Sequence, residues 1–435
     1  MENQMNEQEV VVVAENHEKE HSSHHGEHHH HSSHHHHHSS HRSGKPRRHR
    51  SNTPKKKKKA NPKVMWALVI TFAALLIGAI AVVHFLFPDN PGWQTQQPGQ
   101  SSSDLLTVKV INQSGVLVKD AVSKYLLTDL LNSYNAQVLP SDFSKEEGRL
   151  DAQVPVALEL STKDGSALSY KIELALDEHF SDATVTYLEA VFGICEFEHL
   201  YTNTQYFYRV TAYTGKGIAV VTGSFKTADT PRILSIEGIS NVRDIGNWRT
   251  DSGKRIKQGL LFRGTELDGS VESGYHLTNE GLMDMLQVLG IKTDLDLRAQ
   301  TVISMDALGS RVEHRYYDMV MYAEIFTDAG KEKVRMVFSD LANPDNYPIY
   351  LHCTYGRDRT GTVCYLLEAL LGVSRGDCLK DYGLSNMNIA NIQAVEEGLK
   401  TYAGTTLKEQ AEAYLLSCGI SEYQIESIRN IFLGD

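Results

Sequence analysis

Cysteine is scarce in this chain, five residues in 435, and the five follow no regular spacing. No disulfide framework can be read from them, so the fold must rest on an apolar core, for which the length is ample. Net positive charge is missing from most of the sequence. Residues 1–63 hold 12 Lys and Arg against 7 acidic residues, a balance of +5, and the remaining 31 basic and 47 acidic residues leave −16. That excess of acid argues against nucleic-acid binding by the globular part. The first 63 residues in turn lack aromatic and branched apolar side chains beyond the run Val10–Val13. They cannot bury enough surface to fold alone and are expected to be a disordered tail.

What that tail does contain is histidine, 15 of the chain's 21, in tracts such as "HHHH" from His28 and "HHHHH" from His34. Neutral imidazoles in such tracts can take up Zn, Ni or Cu, but the composition is read as a solvated low-complexity segment. Residues 64–87, "VMWALVITFAALLIGAIAVVHFLF", carry no charge. At 1.5 Å per residue they would form a helix about 36 Å long, enough to cross a hydrocarbon core of roughly 30 Å, and a transmembrane helix is expected there. A polybasic block precedes it and the first acid after it is Asp89. By the positive-inside bias the tail is expected to be cytoplasmic, its lysines against anionic lipid, in a single-pass plasma-membrane protein with everything beyond outside. Residues 88–103 read as a Pro/Gln/Ser linker.

Between residues 104 and 230, stretches such as "VPVALEL", "SYKIELAL", "QYFYRVTAY" and "GIAVVTGSF" alternate apolar and polar side chains, the period of half-buried strands in a sandwich. The preceding "KDAVSKYLLTDLLNSY" reads as a helix that packs on that sandwich. From 231 to 435, strand-like "TDLDL" and "IYL" mix with amphipathic "NEGLMDMLQVLG", the pattern of an α/β domain whose central sheet is flanked by helices.

That last region contains "HCTYGRDRTG", between the β-rich "NYPIYL" and the helix-period "TVCYLLEALLGV". The stretch reads as a tight strand-to-helix turn. A nucleophilic thiolate needs a pKa well below the free value of about 8.5, and a helix N-terminus with nearby cations supplies that. Cys353 has both. Thr354, Tyr355, Gly356, Arg357, Asp358 and Arg359 would form an anion nest, with Arg359 curling back to hold two phosphoryl oxygens. Cys353 would attack phosphorus and a carboxylic acid would protonate the leaving oxygen; water would then hydrolyse the phosphocysteine. Asp358, inside the loop, and Asp318, after "VEHRYY", are the candidate acids, with Asp358 preferred. Asp296 is expected to hold Arg298. Cys364, Cys378 and Cys418 read as packed thiols, with Cys364 a possible redox partner for Cys353. No cofactor or metal is called for.

The ten residues fit H-C-x5-R-[ST]-G in full, and "GRDRTG" resembles the G-K-D-R-T-G loop of bacterial atypical tyrosine phosphatases, which are lipid-phosphatase-like. "SNVRDIGNWRTDSGKRIKQGLLFRGTEL" resembles that family's N-x-R-D-x-G opening followed by G-x-x-x-R, and "GIKTDLDLR" its I-x-D-L-R strand. The resemblance implies that Thr360 bonds the thiolate, that His352 tunes Cys353 from behind, and that Arg243 and Asp244 brace the site. Arg357 stands where the family usually has lysine, and Tyr355 where it usually has a small residue. "LYTNTQYFYRVTAYT" resembles the fibronectin type III signature through Leu200, Thr204 and Tyr206. Together these imply a membrane-anchored protein-tyrosine phosphatase with a fibronectin-like spacer. A phosphoinositide or inositol phosphate substrate, and a surface protein that only binds, are the alternatives.

Overall fold

A computed structural model describes residues 105–112, 115–130, 138–143, 150–269, 273–299 and 306–434. Strand-forming, period-2 sequence builds the first part. Strands β1 (Leu106–Ile111), β2 (Val156–Thr162) and β5 (Ile194–Phe197) form one antiparallel sheet in the order β1-β2-β5. Strands β3 (Ala167–Ala175), β4 (Thr184–Glu189), β6 (Gln205–Thr214) and β7 (Gly217–Lys226) form a second, in the order β4-β3-β6-β7. Alternate residues of β6, Tyr206, Tyr208, Val210 and Ala212, are buried and meet Val156, Leu158 and Leu160 of β2 in one core. The Tyr206 hydroxyl accepts the Tyr201 N–H at 2.8 Å, and burial pushes its phenol up to about 12.

The second part is a six-stranded sheet in the order β12-β11-β13-β10-β9-β8. Its strands are β8 (Arg232–Ile233), β9 (Arg243–Asp244), β10 (Leu261–Gly264), β11 (Thr293–Asp296), β12 (Glu313–Tyr316) and β13 (Ile349–His352). β10, β13, β11 and β12 run parallel, while β8 and β9 join antiparallel. Every residue of β10, β11 and β13 is buried, as expected of a parallel sheet covered on both faces. Helix α1 (Asp120–Leu126) precedes the sandwich's second strand. Helices α2 (Asn279–Met283), α3 (Asp328–Leu341), α4 (Asp358–Leu371), α5 (Arg375–Leu384), α6 (Gln393–Leu399), α7 (Leu407–Ser417) and α8 (Glu422–Leu433) belong to the second part. α4 is the central one, buried at every residue from Thr360 to Leu371, and Gly372 ends it at φ 84° in the left-handed region.

The segment before β2 does not pack on the sandwich alone. Leu117 enters the sandwich core, but Val118 and Val122 meet Ile233, and the Tyr125 hydroxyl donates to the Lys380 carbonyl at 3.4 Å. The reason is the close approach allowed by Gly383, where any Cβ would strike the Tyr125 hydroxyl at 1.9 Å. Arg232 makes a second tie: it donates to the His199 and Leu200 carbonyls at 2.7 and 3.2 Å and to Asp244 at 2.9 Å.

The expected membrane architecture is corrected. Among the described residues no helix is long and apolar enough to cross a membrane. The longest, α3 and α4, have 14 residues, about 21 Å against the roughly 30 Å needed. Residues 64–87, on which the membrane helix rested, lie outside the described residues, as do the tail 1–63 and the linker 88–103. The fold class of the described residues is accordingly a mixed α/β fold with several sheets, and nothing in them supports the single-pass plasma-membrane location.

Candidate active site

β13 lies between β10 and β11, so its C-terminal end opens at the edge of the parallel strands where α/β sheets form ligand crevices. The chain leaves β13 at His352, turns through 353–357 and enters α4 at Asp358. Gly356 makes the turn at φ 64°, with a Cβ position only 2.2 Å from the Gly264 carbonyl oxygen. No other residue fits there without moving β10. No side chain caps the N-terminus of α4, so its free N–H groups and the positive end of its dipole face the loop.

Cys353 lies at the base of this turn, 3% exposed. It opens into a cavity of about 360 Å³ shared with Thr354, Tyr355, Asp358, Arg359 and Asp318. Burial pushes its thiol up, but the Thr360 hydroxyl, the Arg359 guanidinium and the N–H groups of Thr360 and Arg357 outweigh it and hold the pKa below its ordinary value. The other described thiols go the opposite way. Burial pushes Cys364 up to about 12 and raises Cys378 and Cys418, and all five cysteines are unpaired.

Arg359 folds back over the loop, donating to the Leu297 carbonyl at 3.3 Å and the Thr354 hydroxyl at 3.4 Å. Both bonds are long, and either is easily exchanged for an anion. Of the candidate acids, Asp358 accepts the Tyr322 hydroxyl, which also lies 2.7 Å from the Tyr382 hydroxyl. Asp318 is 65% exposed at φ 38° and pairs with Lys333 at 3.1 Å on the cavity wall. Tyr355 is half-exposed at the mouth, edge-on to Tyr275 at 6.5 Å, with the Arg357 guanidinium 5.6 Å from its ring.

Behind the loop, His352 is 1% exposed. Its Nε2 is 2.9 Å from Asp294 but misaligned for a hydrogen bond. Burial alone would lower it; Asp296 and Asp294 raise it to about 9, so the imidazole stays charged at neutral pH. Asp296 grips Arg298 in a fork at 2.7 to 3.0 Å, and Arg298 also reaches Glu266 and Asp268. Arg243 reaches the loop through Asn241. Asp244 faces away from it, accepting Arg232 and the Gly246 and Gly259 N–H groups. Sequence reasoning did not single out Asn241, Arg263, Asp381, Asp294 or Tyr322. Asn241 and Arg263 lay inside the quoted "SNVRDIGNWRTDSGKRIKQGLLFRGTEL", the available signal. Among the described residues no group of three or more His, Cys, Asp or Glu could hold a metal ion.

Residues 234–434 match the profile of the tyrosine phosphatase family. A Cupriavidus necator protein whose name assigns it provisionally as a tyrosine-protein phosphatase is 28% identical over 230 residues, 46% of this chain and 79% of that protein. A tyrosine-protein phosphatase of Nostoc commune is 27% identical over 125 residues, 23% of this chain and 42% of its own. The chain is a cysteine-dependent phosphatase. Among solved structures, the core catalytic domain of a PP-IP phosphatase from S. cerevisiae, in complex with citrate, covers 35% of this phosphatase and 80% of its own chain, at 15% identity and a TM-score of 0.23. Residues 234–434, matched by the family profile, contain the whole loop 353–359 and all of its sheet except β8, and the phosphatase's substrate is a phosphorylated molecule.

Proposed function

We propose that this phosphatase hydrolyses phosphotyrosine through a phosphocysteine on Cys353. The observation that carries the reading is the low-pKa thiol at the base of a cavity walled by the amide-rich turn and Arg359. A phosphoryl group seated in the turn would take N–H bonds from residues 354–359 and a fork from Arg359, in place of that residue's two long contacts. The thiolate attacks phosphorus in line and the P–O bond to the leaving group breaks. Asp358, on the cavity wall and hydrogen-bonded by Tyr322, donates the proton to the leaving oxygen and later takes one from the attacking water. Thr360, beside the sulfur, supports the thiolate as it leaves, while His352 holds charge behind it. The aromatic mouth made by Tyr355 and Tyr275 favours a ring-bearing substrate.

A second reading rests on Arg357. It makes no ion pair among the described residues and faces the mouth beside Tyr355, where a second anionic group of a phosphoinositide or inositol phosphate would fit.

Residues 104–230 are read as a fibronectin type III-like module with a preceding segment, and 231–435 as the catalytic domain. The strand orders of the two small sheets and the hydroxyl of Tyr206 on the Tyr201 N–H support this. Turnover by the full chain and by Cys353→Ser, on phosphotyrosine peptide, phosphoserine peptide and a phosphoinositide panel, tests the assignment. Preference for phosphotyrosine sustains the first reading and preference for lipid the second. Turnover that survives Cys353→Ser sinks both.

A further inference from the structure

A loop that aims its N–H groups at an anion must turn its carbonyls the other way, and buried carbonyls need donors there or the peptide planes rotate. In this chain the Thr354 carbonyl takes the Glu266 N–H, while the Tyr355 and Gly356 carbonyls find their donors in one buried charge cluster. Asn241 Nδ2 donates to the Tyr355 and Gly356 carbonyls, both at 3.1 Å, and Arg263 donates to the Gly356 carbonyl at 3.0 Å. Asn241 is itself held through Oδ1 by Arg243 at 2.7 Å. Both guanidiniums converge on one carboxylate: Asp381 accepts Arg243 at 3.0 Å and Arg263 at 2.6 Å. Arg243, Arg263 and Asp381 are each no more than 2% exposed.

We propose that the Arg243–Asp381–Arg263 cluster, acting through Asn241, positions the phosphate-binding loop by fixing the Tyr355 and Gly356 carbonyls so that the loop amides point at the substrate phosphate. These four are positioning residues, and the inference rests on the preceding assignment of residues 353–359 as the phosphate site. The charge balance supports the same role. Burial raises Asp381, yet the two arginines prevail and keep it ionised. Glu368, buried beside it, is pushed well up by burial and by Asp381, its charge and its hydrogen bond together. Two guanidiniums thus share one carboxylate beneath the loop, at a depth where charges are screened little.

The decisive experiment is calorimetric titration of inorganic phosphate into the full chain carrying Cys353→Ser, alone and combined with Asn241→Leu, Arg263→Lys or Asp381→Asn. Asn241→Leu removes both Asn241 bonds to the carbonyls while keeping the branched heavy-atom skeleton, and Arg263→Lys keeps the charge but loses the fork. The expected result is a phosphate Kd weakened about tenfold in Asn241→Leu, which frees the Tyr355 carbonyl, and several-fold or more in Arg263→Lys and Asp381→Asn. With Cys353 intact, the same variants should lose roughly 10- to 100-fold in kcat/KM, part of it in kcat. A merely structural role would lower the thermal midpoint and leave phosphate affinity of the folded protein within twofold, which overturns the proposal. If Asp381→Asn does not fold, the other two variants decide. Absence of phosphate binding by Cys353→Ser itself also overturns it. Wild-type turnover, read alongside, tells separately whether the phosphatase assignment of the loop stands.

Discussion

The two sheet systems of this chain treat charge in opposite ways. In the sandwich, antiparallel strands turn one face to the core and one to water, and Glu173, 7% exposed, is covered by Arg209 and Lys171, of which Arg209 is 37% exposed. In the parallel sheet both faces are covered, yet Arg263, Asp294, Asp296 and His352 sit within its strands at 2% exposure or less. Burying charge costs several kcal/mol per ion unless partners repay it, so among the described sandwich strands Glu173 is the only buried charge, under partners that reach water, while the catalytic part pairs several buried ions with one another. Every buried ion named in the catalytic part lies behind the loop that holds Cys353 or ties that sheet to its neighbours. Buried charge therefore marks where the fold serves chemistry rather than stability.

The strongest challenge to that contrast is Cys353→Ser. Aryl phosphate turnover should fall by a factor on the order of 1,000 or more, while the thermal midpoint stays within a few degrees. Comparable loss of fold would mean the loop is structural after all. Next comes a matched pair of charge deletions read by urea unfolding. Asp244→Asn, which strips the partner from buried Arg232, should cost about 3 to 5 kcal/mol, whereas Glu173→Gln, whose partners Arg209 and Lys171 reach water, should cost about 1 to 3 kcal/mol. Equal costs would erase the difference between the two regions. Within the site, Asp358→Asn should slow poor leaving groups about 10- to 100-fold and good ones little, with Asp318→Asn near wild type; the reverse pattern would move the acid role to Asp318.

The subtlest difference is in pH. His352 has its folded pKa raised to about 9, so its contribution is complete below about 6.5 and is lost as pH climbs through 9. Glu173 is held down to about 2, chiefly by the Arg209 hydrogen bonds, so its contribution is present above about 4.5 and is lost as pH falls toward 2. Amide hydrogen exchange should show the β13 region loosening at alkaline pH and β3 with β6 loosening at acid pH. Parallel loosening of both regions at either extreme would contradict the assignment.

Some of this was legible in ten consecutive residues. Strand, turn, the proposed nucleophile, the proposed anion-binding arginine and helix follow one another in "HCTYGRDRTG", and covalent adjacency places them together in any compact fold. The sandwich was legible for a similar local reason, since a period of two is printed along each strand. The helical reading of "KDAVSKYLLTDLLNSY" is met only over Asp120–Leu126, since 127–130 leave the helix and 131–137 lie outside the described residues; the surface α1 covers was not legible, because that depends on Gly383, more than 250 residues away, leaving room for Tyr125. Asn241 and Arg263 stood inside a quoted stretch without a visible partner.

By itself, then, the sequence determined the reactive loop and the strand periodicities, because these depend on neighbours along the chain. Only the tertiary structure decided what the loop rests on. Arg263 meets Asp381 across 118 residues and the Gly356 carbonyl across 93. Which buried ion finds which partner is set by packing at low dielectric, where each unpaired charge is too costly to leave and no local pattern names its mate.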